Sequence, residues 1–276
     1  ALMAGTSNQE INEEVGVGAI LGAPLMLSSL SVCLMAFSIA KKRGLAGRVT
    51  PERTGFLRDL HFFMFAFVVA ATAMYIPHEN HAVRAGLSMV LVLSYFVYVL
   101  LTLRASEQLV EDGHGTEADE TMFLSKLGLP TNLFTISVQL ALGLILLVLG
   151  AKGFINGVEG LSHILGVSAL LLSLLIIPIA TELPEKINSI LWIRRGKDTL
   201  AFGNITGAMV FQGSLLPAIG IMLTPWQPRT EVVAGVVLTL LAAVWMRVHA
   251  GPKGLPVWAL LLNGVLYASF LVITLS

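Results

Sequence analysis

Apolar stretches about as long as a membrane-crossing helix recur along this chain from Val15 almost to its last residue, with short polar segments between them. A helix needs roughly 20 predominantly apolar residues to cross the hydrocarbon layer. The pattern predicts eight such spans, at residues 15–40, 56–76, 83–104, 133–151, 164–193, 200–223, 231–248 and 256–275. The fifth is longer than its neighbours and contains Pro178 and Pro184. Proline removes an intrahelical hydrogen bond and clashes with the preceding turn, so this span is expected to be a helix broken between 178 and 184.

Composition narrows the class. Of 276 residues, 55% are hydrophobic and 12% charged, against roughly 25% charged in a soluble domain. Too few charges remain to coat a water-facing surface, and the expected fold class is an all-α membrane protein. The formal net charge is zero, and nothing in the charge balance points to nucleic acid. The single cysteine, Cys33, lies in an apolar run and reads as a small packing residue. Residues 1–14 lack the basic and apolar regions of a signal peptide.

Basic residues then orient the spans, because loops on the cytoplasmic side collect Lys and Arg. Lys41, Lys42, Arg43, Arg48, Arg53 and Arg58 fall on one side, joined by Arg104, Lys126, Arg194, Arg195, Lys197, Arg247 and Lys253. Arg84, Lys152 and Arg229 fall on the other, and Lys186 lies inside a span. The asymmetry predicts a multi-pass protein of the plasma (inner) membrane with both chain ends outside. The longest connection, 105–131, carries Glu107, Glu111, Asp112, Glu117, Asp119 and Glu120. It lacks the ligand spacing of a helix-loop-helix calcium loop and is expected to be a solvated cytoplasmic linker.

An internal repeat brackets that linker. Gly18-Ala19-Ile20-Leu21-Gly22-Ala23 aligns with Gly203-Asn204-Ile205-Thr206-Gly207-Ala208, and Ser29-Leu30 with Ser214-Leu215. Small residues are common wherever membrane helices approach closely, but the two segments also run in opposite directions by the charge count. That is the mark of an inverted repeat, in which ions bind near the midplane at broken helices. The expected organisation is an incomplete first repeat at 1–104 with three spans, the linker at 105–131, and a second repeat at 132–276 with five. Two spans of the first repeat are expected to lie upstream of Ala1.

The chemistry concentrates in Ile177-Pro178-Ile179-Ala180-Thr181-Glu182-Leu183-Pro184-Glu185-Lys186. An uncompensated carboxylate at membrane depth costs roughly 2.5–3.5 kcal/mol, and this stretch holds two, three residues apart on one helical face. Breaks at proline free backbone carbonyls to line a cavity. Carboxylates, a threonine hydroxyl and carbonyls form a hard-oxygen set suited to Ca²⁺, or to Na⁺ with fewer charges, and the stretch has no His or Cys for a softer metal. The simpler alternatives are that Glu182 or Glu185 pairs with Lys186 or caps the second half-helix. In the next span Asn204 and Gln212, about two turns apart, could each supply an amide oxygen, while Thr206 and Ser214 read as packing residues. Trp226 and Trp258 read as residues of the interfacial aromatic belt, and His163 as the start of the broken span.

These residues resemble the cation/Ca²⁺ exchanger superfamily, which includes sodium/calcium and calcium/proton exchangers. Its second signature repeat pairs a Gly-Thr-Ser-Leu-Pro-Glu-like break with a Gly-Asn-Ile-x-Gly-like helix. Here they read Ala180-Thr181-Glu182-Leu183-Pro184-Glu185 and Gly203-Asn204-Ile205-Thr206-Gly207, in that order on consecutive spans. The resemblance implies an inverted-repeat exchanger fold of ten spans, of which about eight are present, and alternating access that exchanges Ca²⁺ for Na⁺ or H⁺. It implies that Glu185 is the main metal ligand, that Thr181 contributes oxygen, that Asn204 sits beside the site, and that Gln212 matches the glutamine of calcium/proton exchangers. Three departures stand out. Glu182 replaces the usual serine, Ala19 and Leu27 occupy the positions matching Asn204 and Gln212, and Gly5-Thr6-Ser7 is not followed by the Pro-Glu of a first-repeat break.

The expected function is therefore a membrane antiporter of Ca²⁺ or a similar cation against Na⁺ or H⁺. It involves no covalent chemistry and no cofactor beyond the transported ions. The expected partners are inorganic cations, the lipid bilayer and missing N-terminal spans of the same protein. The alternative is a non-transporting module that binds ions as a sensor or subunit. An intramembrane hydrolase is disfavoured, since no paired catalytic aspartates or Ser/His constellation is present.

Overall fold

The computed structural model describes residues 9–111, 122–166 and 169–275. The apolar runs fold as helices because lipid offers no partner to backbone N–H and C=O groups, which must bond within each segment. The first span is one continuous rod, α1 (Gln9–Met26), a π-helical turn (Leu27–Ser31) and α2 (Val32–Arg43). Then come α3 (Arg53–Ala73), α4 (His81–Glu111), the short α5 (Phe123–Lys126) and α6 (Leu133–Leu165). The broken span is α7 (Ala169–Thr181) and α8 (Leu183–Arg194), followed by α9 (Asp198–Leu223), α10 (Thr230–His249) and α11 (Val257–Leu275).

Among the described residues, seven helical stretches are long and apolar enough to cross a membrane: Glu13–Arg43, Arg53–Ala73, His81–Ala105, Leu133–Gly150, Asp198–Leu223, Thr230–His249 and Val257–Thr274. The two halves of the broken span, 13 and 12 residues long, are each too short to cross alone and complete the expected eight only together. α6 continues to Leu165 and ends at Gly166, whose φ of +67° suits glycine. His163 therefore belongs to the last turn of α6 rather than to the start of α7. Asp112, His114, Glu117, Asp119 and Glu120 of the acidic linker, and Gly5-Thr6-Ser7, lie outside the described residues.

Packing follows the small-residue pattern. α1 lies along α7, and α9 packs on α3, α4, α8 and α1. A Cβ on Gly22 would fall 2.5 Å from the Leu174 carbonyl oxygen and 2.7 Å from the Pro178 ring; one on Gly18 would overlap Ser173. The glycines of the repeated segment are thus what let the two backbones touch. α6 exposes Leu133, Phe134, Leu140 and Leu146, and faces the surroundings rather than the core.

Each end of the bundle is tied separately. At one end the Arg43 guanidinium donates to both Asp198 oxygens at 2.7 Å, and Thr50 N–H donates to the same carboxylate. Beside it the loops before α3 and α11 pair as two short strands, β1 (Arg48–Val49) antiparallel to β2 (Leu255–Pro256). At the other end Glu14 meets Arg229. There the buried Arg84 donates to the carbonyls of Pro225 (3.0 Å), Thr224 (2.7 Å) and Ile221, where a cation suits the C-terminus of α9. Trp226 corrects the belt assignment: it is 1% exposed. Its backbone, at φ 49°, turns the indole inward against Gly220, and its N–H donates to the Ala70 carbonyl. Trp258 is 41% exposed, as a belt residue would be.

Candidate cation site

The interruption of the fifth span falls on one residue. Pro178, expected to take part in the break, instead lies inside α7. Its missing N–H frees the Leu174 carbonyl, and Gly22 of α1 packs there, so the helix continues. α7 closes at Thr181, Glu182 leaves the helix at φ −90°, ψ 6°, and α8 starts with Pro184 in its first turn. Proline is tolerated there because the first N–H groups of a helix have no intrahelical acceptor.

Glu182 occupies the N-cap position of α8, yet its side chain makes no capping hydrogen bond. The carboxylate turns inward and is 5% exposed. Its Oε1 accepts from the Gln212 amide at 2.8 Å and from Thr181 Oγ1 at 3.4 Å. The capping alternative is thereby set aside. Glu185, one turn later, is half-buried. Three buried oxygens in this cluster have no hydrogen-bond partner among the described residues: Glu182 Oε2, Glu185 Oε2 and Gln212 Oε1. Buried polar atoms are nearly always paired, so three orphaned acceptors on adjoining elements are unusual. All three attract a cation.

The remaining predicted residues frame this cluster. Asn204 donates from Nδ2 to the Glu185 carbonyl and to Ser189 Oγ, both at 3.0 Å, fastening α9 to the first turns of α8. Thr181 is exposed, and its hydroxyl also donates to the Ile177 carbonyl at 3.0 Å. Thr206 donates to Asp59 Oδ2 at 2.6 Å, and Ser214 to the Val210 carbonyl, as packing residues do. No group of three or more His, Cys, Asp or Glu side chains gathers among the described residues. The cluster has two carboxylates and completes itself with an amide.

Lys186, offered by the sequence as a partner for Glu182 or Glu185, donates elsewhere among the described residues. It is 6% exposed. Its ammonium donates to the carbonyls of Pro178 (3.2 Å) and Ile179 (3.5 Å) and touches the Met26 sulfur. A cation built into the chain thus sits on carbonyls at the end of α7. Met26 directly precedes the π-helical turn, whose Ser28 carbonyl accepts from Asn263 of α11. Such turns concentrate at functional sites; no periodicity in the sequence marked this one. Asp59 was also missed. It is a buried acid inside α3, held by Thr206 and lying 3.5 Å from Arg58. A lone Asp in a predicted span was the available signal.

A multi-pass, all-helical membrane protein with two acids at a broken helix and an amide from the following span is the class these features define. The profile of the family described as sodium/calcium exchanger protein matches residues 135–276, which contain the whole cluster. The chain belongs to that family. Among curated proteins it is 35% identical over 105 residues to CaxA of Alkalimonas amylolytica, a protein assigned as an antiporter; the match covers 38% of this chain and 33% of CaxA. It is 26% identical over 168 residues to the inner membrane protein YrbG of Escherichia coli K12, covering 61% and 50% respectively. The chain thus spans a third to a half of the length of these relatives. Its fold is similar to a crystal structure of the H⁺/Ca²⁺ exchanger CAX, with a TM-score of 0.64 at 20% identity over 98% of this chain and 67% of that one.

Proposed function

We propose that the chain forms the cation-binding half of a membrane antiporter, one that exchanges Ca²⁺ or a similar cation for Na⁺ or H⁺ by alternating access. The observation that carries the reading is the trio of buried, partnerless oxygens on Glu182, Glu185 and Gln212. Hard oxygen donors of this kind suit an alkali or alkaline-earth cation. In the proposal Glu185 and Glu182 supply charge. Gln212 orients Glu182 through its N–H and offers its own oxygen to the ion. Asn204 fixes the start of α8 so that the two carboxylates keep their spacing. Thr181, Pro184 and Asn188 leave one side of the site exposed. In this reading that side is where further oxygen ligands of a two-fold site would close over the ion. Family membership and the antiporter name of CaxA support exchange over simple binding.

A second reading has its own support. Leu27, matching Gln212 in the repeat, is fully buried and apolar, so the π-helical turn offers no side-chain ligand at that position. A site furnished by one repeat alone could bind a cation without carrying it across. Reconstituted vesicles separate the two. ⁴⁵Ca²⁺ uptake driven by a Na⁺ gradient or by a pH gradient, and lost in Glu185→Gln, is the expected outcome. Binding without uptake under either gradient would favour the sensor reading.

A further inference from the structure

A basic cleft of about 340 Å³ opens between α2 and α8, lined by Ser38, Ile39, Lys41, Lys42 and Arg194. All three of its charged side chains are exposed cations. The nearby acid, Asp198, is occupied by Arg43 and Thr50, and among the described residues no carboxylate lines the cleft. Earlier along each helix, away from the charges, both α2 and α8 carry exposed apolar residues. On α2, Leu34, Ser38 and Lys42 follow one another at helical spacing, with Phe37 and Lys41 alongside, and Leu34 and Phe37 are exposed. On α8, Ile187, Leu191 and Arg194 form the matching stripe, with Ile187 and Leu191 exposed. Both helices end at their basic residues, so the charged mouths lie level and the apolar stripes run the same way into the bundle.

A cationic mouth over an apolar trough fits a molecule with an anionic head and a hydrocarbon tail. We propose that this cleft binds an anionic phospholipid, its phosphate among Lys41, Lys42 and Arg194 and one acyl chain along Leu34, Phe37, Ile187 and Leu191. Basic pockets between spans at the membrane surface recognise such headgroups. Free phosphate would satisfy the mouth but leave the trough bare. The inference does not depend on transport. It would brace α8, the half-helix that carries Glu185, against α2.

The test uses the full chain in detergent, incubated with phosphatidylglycerol, phosphatidylcholine or glycerol 3-phosphate. Lipid retained through gel filtration is measured by mass spectrometry, and thermal stability is followed in parallel. Selective retention of phosphatidylglycerol and stabilisation by it alone are expected. Lys41→Gln/Lys42→Gln/Arg194→Gln should weaken retention on the order of 100-fold, since each basic residue near a membrane surface contributes roughly fivefold. Arg53→Gln/Arg104→Gln/Lys253→Gln, which removes three exposed cations outside the cleft, should change it by no more than about twofold, well short of that per-residue effect. Phe37→Ala, keeping every charge, should weaken retention while leaving phosphate binding alone. Equal retention of phosphatidylcholine, stabilisation by glycerol 3-phosphate, or an equal loss in the control triple variant would each overturn the proposal.

Discussion

Glu182 stands where the family resemblance expects serine, and its surroundings explain what the extra acid does. A serine there could not reach Gln212 as this carboxylate does, at 2.8 Å. Replacing it with glutamine keeps the size and removes the charge, and should weaken cation binding on the order of tenfold or more while leaving the fold intact. Titration of labelled cation against the purified chain measures this. Lys186 acts in the opposite direction. Its ammonium rests on the Pro178 and Ile179 carbonyls, adding a positive charge beside two acids. Lys186→Met frees those carbonyls and makes the site more negative by one. Affinity should then shift toward divalent over monovalent cations, on the order of tenfold, and competition between Ca²⁺ and Na⁺ reads that ratio directly. An unchanged ratio would remove Lys186 from the site. The acids, the proline between them and Gln212 were all legible in the sequence, because each is costly or unusual at membrane depth. The bond joining Glu182 to Gln212 was not legible: it depends on how α8 and α9 pack, and hydropathy carries no record of that. Lys186 stayed ambiguous and Asp59 was passed over for the same reason.

At the scale of elements, the apolar pattern gave the number and order of the spans and the prolines gave the stretch in which the fifth is broken, but not the residue at the break. Pro178 invited a break, and α7 runs through it because Gly22 lies where its ring and the freed Leu174 carbonyl need room. The break falls at Glu182, inside the expected 178–184 stretch and ahead of a proline that suits the start of a helix. The π-helical turn at Leu27–Ser31 left no trace in the apolar pattern. Gly22→Ala places a methyl 2.5 Å from the Leu174 oxygen. Overpacking of this kind costs about 1–3 kcal/mol, so a clear drop in thermal midpoint in detergent is expected. An unchanged midpoint would mean that the α1–α7 contact tolerates separation. Asp198→Asn tests the other clamp. It leaves the Arg43 guanidinium without its charged partner and should cost about 2–3 kcal/mol, visible in the same assay.

Over the whole molecule, the basic residues that the sequence placed on one side do gather. Arg43, Arg48, Arg53 and Arg247 surround the end closed by β1 and β2, while Glu14, Arg84 and Arg229 mark the opposite end. The positive-inside tendency predicts that the first end faces the cytoplasm and that both chain ends lie outside. Cysteines introduced at Lys42 and at Gln227 should then label from opposite faces of intact cells, and labelling from the same face would reverse or discard this topology. The account as a whole turns on a cation held by oxygens of α7, α8 and α9. Its most direct test is equilibrium binding of ²²Na⁺ and ⁴⁵Ca²⁺ to the purified chain and to Glu185→Gln. The account predicts saturable binding of at least one of these ions to the chain, weakened on the order of 100-fold when one of the two formal charges is removed. Equal binding by both proteins, or binding by neither, would contradict it.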